Sequence, residues 1–120
     1  MARTKKLFDP EAHALKVLRR EFSDRKWIPR MQAYHRAMRA FGLVQCATCP
    51  KQVIRDDTQL DHIIPVIPLS GSDNDFKALA HRLYCQADGL QVLCLECHKE
   101  KTRTENAERV RLRKLKKEAL

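Results

Sequence analysis

Apolar positions spaced three and four residues apart dominate the two ends of the chain, while short β-branched runs broken by turn residues occupy its middle. Near the start, Leu15, Leu18 and Phe22 follow Asp9, a capping residue, and Pro10, a first-turn proline, which predicts a helix over 10–23. Beyond Trp27, Ile28 and Pro29, the residues Met31, Tyr34, Met38 and Phe41 repeat at helical spacing until Gly42 supplies a stop. This predicts a second helix over 30–41 with those four side chains on its inner face. Residues 51–55 and 58–64 flank the polar pair Asp56 and Asp57 and read as a hairpin or irregular strand pair, ended by Pro65 and Pro68. Phe76, Leu79, Ala80 and Leu83 predict a short helix over 75–84 after a polar loop, and 90–93 is a further strand. A last helix is expected from His98 or Lys99, fraying near Leu120.

The chain has 120 residues, enough for one domain, and only 6% are aromatic, so its core is thin and calls for a staple. Charge sharpens this picture. The net value is +9, but residues 1–45 carry eleven basic and four acidic side chains, 46–98 carry four and seven, and 99–120 carry nine and four. Two basic wings thus flank an acidic middle: the wings suit a polyanion and the middle a bound cation. Arg30, Arg36 and Arg39 on the second helix, with Lys101 and Arg103 on the last, are the candidate DNA contacts. No apolar run is long enough to span a bilayer and no signal core follows Met1, so membrane insertion is excluded and cytoplasmic residence expected.

Five cysteines supply the staple. Cys46 and Cys49, then Cys94 and Cys97, form two CxxC knuckles, and four thiolates from two knuckles make a tetrahedral structural zinc site. Cys85 is left over and reads as a small buried apolar residue. Beside the knuckles stand Asp61 and His62 at a strand end, and His98 directly after the last thiolate. A carboxylate and an imidazole can bind a divalent ion, leaving the other imidazole free as a base near neutral pH. The bland alternatives are a turn-capping Asp61, a satisfied core His62 and a His98 that joins the zinc shell.

The order Cys46-x2-Cys49, Leu60-Asp61-His62-Ile63-Ile64-Pro65 and Leu90-Gln91-Val92-Leu93-Cys94-x2-Cys97-His98-x2-Lys101-Thr102 resembles the HNH endonuclease family in its zinc-stapled, small phage-type form. The resemblance covers about half of the chain, 46–102. It implies an α+β fold with a ββα-metal (His-Me finger) core over 46–102, a basic helical extension over 1–45 and a basic helix or tail over 103–120. It further implies His62 as the general base, Asp61 and His98 as ligands of a catalytic Mg²⁺ or Mn²⁺, and Lys101 as a phosphate contact. The substrate implied is double-stranded DNA, and phage packaging machinery (terminase or portal) is the partner suggested. The family's central Asn falls at Gly89, which has no side-chain amide, so backbone groups or Asp88, Gln86 or His81 must orient His62 in its place. A zinc-knuckle DNA-binding or packaging adaptor with a decayed nuclease core is the alternative function.

Overall fold

The computed structural model describes residues 7–22 and 27–119. The expected end of the first helix at 23 and the fraying Leu120 lie outside them. Helix α1 spans Pro10–Phe22, and the Asp9 carboxylate caps it by accepting from the Glu11 and Ala12 N–H groups at 3.1 and 3.2 Å. Its stripe is as expected: Leu15 and Leu18 are half-buried and Phe22 is buried. Phe22 packs against Trp27, Tyr84 and His62. The Tyr84 hydroxyl ties this end down by donating to the Leu18 carbonyl at 2.7 Å.

Helix α2, Ile28–Ala37, is shorter than expected and turns a different face inward. Tyr34 is buried together with Ala33, whereas Met31 and Met38 are about half exposed and Phe41 is fully exposed. The small residues Ala33 and Ala37 let α2 close on the strand that leads to the second knuckle, which the longer methionines would prevent. Phe41 and Gly42 both take the left-handed backbone region, with φ of 62° and 71°, so the chain reverses there and Phe41 leaves the helical stripe.

The strand pairing also departs from the sequence pattern. Strand β2, Gln52–Val53, pairs antiparallel with β1, Val44–Gln45, around the first knuckle. A 3-10 turn over Arg55–Asp57 then redirects the chain, so the expected hairpin about Asp56 and Asp57 does not form. Strand β3, Thr58–His62, instead pairs antiparallel with β4, Leu90–Cys94, from Thr58 opposite Cys94 to His62 opposite Leu90. The reason is burial: four of the five β4 residues are buried, and only a partner of equal length covers that strand.

Between these strands lies α3, Phe76–Leu83, capped by Asp75, whose carboxylate accepts from the Ala78 N–H at 3.0 Å. Leu83 is buried, but Phe76 faces solvent. Helix α4, Leu95–Glu118, starts before the expected His98 because the Cys94 sulfur acts as its N-cap, accepting from the Cys97 N–H at 3.5 Å. It lies along β3 and β4. Arg109 donates to the Ile67 and Pro68 carbonyls at 2.9 and 3.0 Å, and Lys116 to Ser70 at 3.1 Å, so part of the basic wing straps the connecting loop. The fold is mixed α+β, and no helix among the described residues is long and apolar enough to cross a membrane.

Candidate metal centre and the β3 end

The four cysteines come from two unrelated stretches and meet because each knuckle is fixed by backbone. The Cys46 N–H bonds the Lys51 carbonyl at 3.0 Å, closing the first turn between β1 and β2. The second knuckle is the last residue of β4 and the first turn of α4. Their four sulfurs lie within 4.8 Å of one another, the only group of three or more His, Cys, Asp or Glu among the described residues to do so. Tetrahedral zinc with bonds near 2.3 Å requires sulfurs about 3.8 Å apart. Cys49 and Cys94 stand at 3.8 Å.

Thiol chemistry points the same way. Burial raises Cys46, but N–H donors of Cys94 and Thr48 overcome it and bring the thiol down to about 6. The Lys51 N–H pulls Cys49 down, yet burial and the neighbouring sulfurs outweigh it and push that thiol up to about 12. A bound cation would displace the proton that the raised Cys49 thiol holds. Two supports were not evident in the sequence. Gln45 donates its amide to the Cys46, Cys49 and Lys51 carbonyls at 3.1, 3.0 and 3.3 Å, and Lys51 pairs with Glu96 at 2.6 Å across the two knuckles. A lone Gln before a CxxC carries no signal until the turn is folded.

The other end of β3 carries Asp61 and His62, which point to opposite faces as neighbours in a strand must. Asp61 faces α4: its Oδ2 accepts from the Gln91 amide at 2.9 Å and pairs with the Lys101 ammonium at 2.9 Å. Lys101 also pairs with Glu105 at 2.5 Å and donates to the His62 carbonyl at 3.0 Å. Burial works against that ammonium, but Glu105 and Asp61 more than offset it and raise its pKa. His98 lies one turn before Lys101 on the stripe shared with Glu105 and is half-buried. Asp61, His62 and His98 do not approach one another as the cysteines do. In kind, a carboxylate and an imidazole suit a hard divalent ion, and the Asp61 carboxylate already draws a cation.

His62 turns the other way, its ring against Phe22 with centroids 4.5 Å apart. Its Nε2–H donates to the Leu83 carbonyl at 2.8 Å, which leaves Nδ1 as the basic atom of the neutral ring. Burial pushes the imidazole below its ordinary value of 6.5, against the raising effects of Leu83 and Asp61. A backbone carbonyl, not Asp88, Gln86 or His81, therefore orients it. Gly89 is explained by contact: a Cβ there would stand 2.8 Å from the Cys85 sulfur, so the half-buried thiol occupies the space of any side chain. The Gly89 carbonyl still braces this end, accepting from the Ile63 N–H at 3.0 Å.

The candidate DNA contacts are mostly engaged within the chain. Arg36 pairs with Asp88 at 2.6 Å, Arg39 donates to the Arg36 and Met38 carbonyls at 2.9 and 3.0 Å, and Arg103 pairs with Glu100. Lys101, expected to meet a phosphate, is held by Asp61 and Glu105 instead. Arg30 differs: its guanidinium lies 5.6 Å from the centre of the Tyr34 ring, and its buried Nε has no hydrogen-bond partner. Comparisons with protein-family models, curated proteins and solved structures return no match for the chain.

Proposed function

We propose that this protein is an HNH-type endonuclease that hydrolyses phosphodiester bonds of double-stranded DNA. The observation that carries the reading is the unit β3–β4–α4: β3 and β4 pair antiparallel and β4 runs straight into the helix, with four cysteines at one end and Asp61 and His62 at the other end of β3. Held neutral by burial and oriented through Leu83, the His62 ring has an unprotonated Nδ1 to take a proton from water. Asp61 and His98 are the residues that would hold a divalent ion, whose charge when bound stabilises the phosphate oxygens and the departing oxygen. Lys101 keeps the Asp61 carboxylate oriented and competes with that ion for it. The four-cysteine site takes no part in the chemistry, since its coordination shell is complete.

A second reading is favoured by the same ion pair. With Asp61 neutralised by Lys101, the unit serves as a zinc-knuckle DNA-binding or packaging adaptor that does not cut. One assay separates the two. Incubated with supercoiled plasmid and Mg²⁺ or Mn²⁺, the nuclease yields nicked or linear DNA and ceases when the metal is chelated. DNA that is bound but stays supercoiled in both metals overturns the nuclease reading and leaves the adaptor.

A further inference from the structure

Two arginines converge on one buried tyrosine. Tyr34 is 5% exposed, and the guanidinium carbons of Arg30 and Arg55 lie 5.6 and 4.0 Å from its ring centre. Arg30 precedes Tyr34 by one turn of α2, so a ring that leans back along the helix meets it. Arg55 arrives from the 3-10 turn that redirects the chain into β3. Each stacking is favourable in itself, but it gathers two like charges around a single ring.

Nothing in the described chain neutralises them. Every ion pair among the described residues involves other cations, even though Asp56 and Asp57 directly follow Arg55. The buried Nε of Arg30 has no acceptor, and buried donors of this kind rarely go unpaired. The α2 N-terminus adds to the same deficit of negative charge: Trp27 supplies no side-chain cap, and the first turn holds no acidic residue. Two guanidinium groups on one ring, beside a helix start without an acidic residue, suit an oxyanion with several acceptor atoms.

We propose that Arg30, Tyr34 and Arg55 form a phosphate clamp that holds the DNA backbone at the opposite end of β3 from His62. The placement follows from the strand: Arg55 lies in the turn that leads into Thr58, and His62 ends β3 four residues, or about 13 Å at strand rise, further on. Contact with one ring brings both guanidinium groups to the same place before anything binds. The identification of the phosphate as that of DNA rests on the nuclease reading; the demand for an oxyanion does not.

The test is the binding of a short fluorescent DNA duplex, without added divalent metal, across a salt series. Arg55→Gln and Arg30→Gln should each weaken binding by about tenfold and make the plot of log affinity against log salt shallower by about one. Arg30→Lys and Arg55→Lys, which keep the charge, should restore most of the slope. Arg55 is exposed, so its variant should keep its zinc and melting temperature and remains decisive even if Arg30→Gln fails to fold. Unchanged affinity and slope for Arg55→Gln overturn the clamp. Inorganic phosphate at matched ionic strength is the second arm: it should displace the duplex from the wild type more than chloride does and lose that advantage with Arg55→Gln, and an equal advantage over chloride in both proteins overturns the clamp. If the slope falls as expected but the wild type cuts no plasmid, the clamp stands and the nuclease reading fails; the opposite pair of results separates them the other way.

Discussion

At the scale of single residues, Gly89 and Cys85 show how one position constrains another. At position 89, where the HNH resemblance leads to the expectation of an amide, the chain has glycine, and the Cys85 sulfur fills the space that a side chain would need. Gly89→Ala should therefore destabilise the protein by about 1–3 kcal/mol, as overpacking does. The companion change Cys85→Ala should recover most of that loss in denaturant melts, whereas a Gly89→Ala protein of unchanged stability would refute the contact. His62 makes a second residue-scale prediction. Its folded pKa lies below the ordinary 6.5, so the benefit of the neutral buried ring is complete above about that pH and is lost as pH falls through the folded value. NMR titration of the ring should give a midpoint below 6.5, and His62→Gln should flatten the fall in stability on the acid side. A midpoint above the ordinary value would mean that the ring is not desolvated as described.

At the scale of elements, the sequence was informative where periodicity and capping agree and silent where tertiary contacts decide. Helix α1 was legible because Asp9, Pro10 and the stripe to Phe22 all point to one register. The methionine and phenylalanine spacing misled in α2, because the helix needed its alanines against the sheet and a left-handed turn removed Phe41 from the pattern. The partner of β3 could not be read locally: it lies 27 residues along the chain, beyond α3, while the nearer run pairs across the knuckle. The cysteines were legible by spacing alone. The start of α4 at Leu95 was not, since a sulfur cap is recognisable only once the knuckle exists. Substituting Cys94 with Ser should accordingly remove the metal, loosen the junction of β4 and α4 and lower helix content by circular dichroism. Retention of full helix content and one zinc per chain would count against this role.

For the whole molecule, a thin aromatic core and a four-cysteine centre are complementary facts. Structural zinc binding contributes on the order of 10–16 kcal/mol to folding, comparable with the entire stability of a small domain, about 5–15 kcal/mol. A tight zinc chelator should therefore unfold the protein cooperatively at neutral pH, and restored Zn²⁺ should refold it. The staple fixes one end of β3–β4–α4, and the polar cluster of Asp61, Gln91, Lys101 and Glu105 fixes the other. On the proposed reading, that unit would present His62 to a DNA backbone. The decisive measurement is plasmid cleavage by wild type and His62→Ala, side by side with binding to the same DNA. The wild type should cleave in Mg²⁺ or Mn²⁺, the variant should lose at least about a hundredfold in rate, and both should bind equally. Equal cleavage by the two proteins would remove His62 as the base and with it the proposed chemistry.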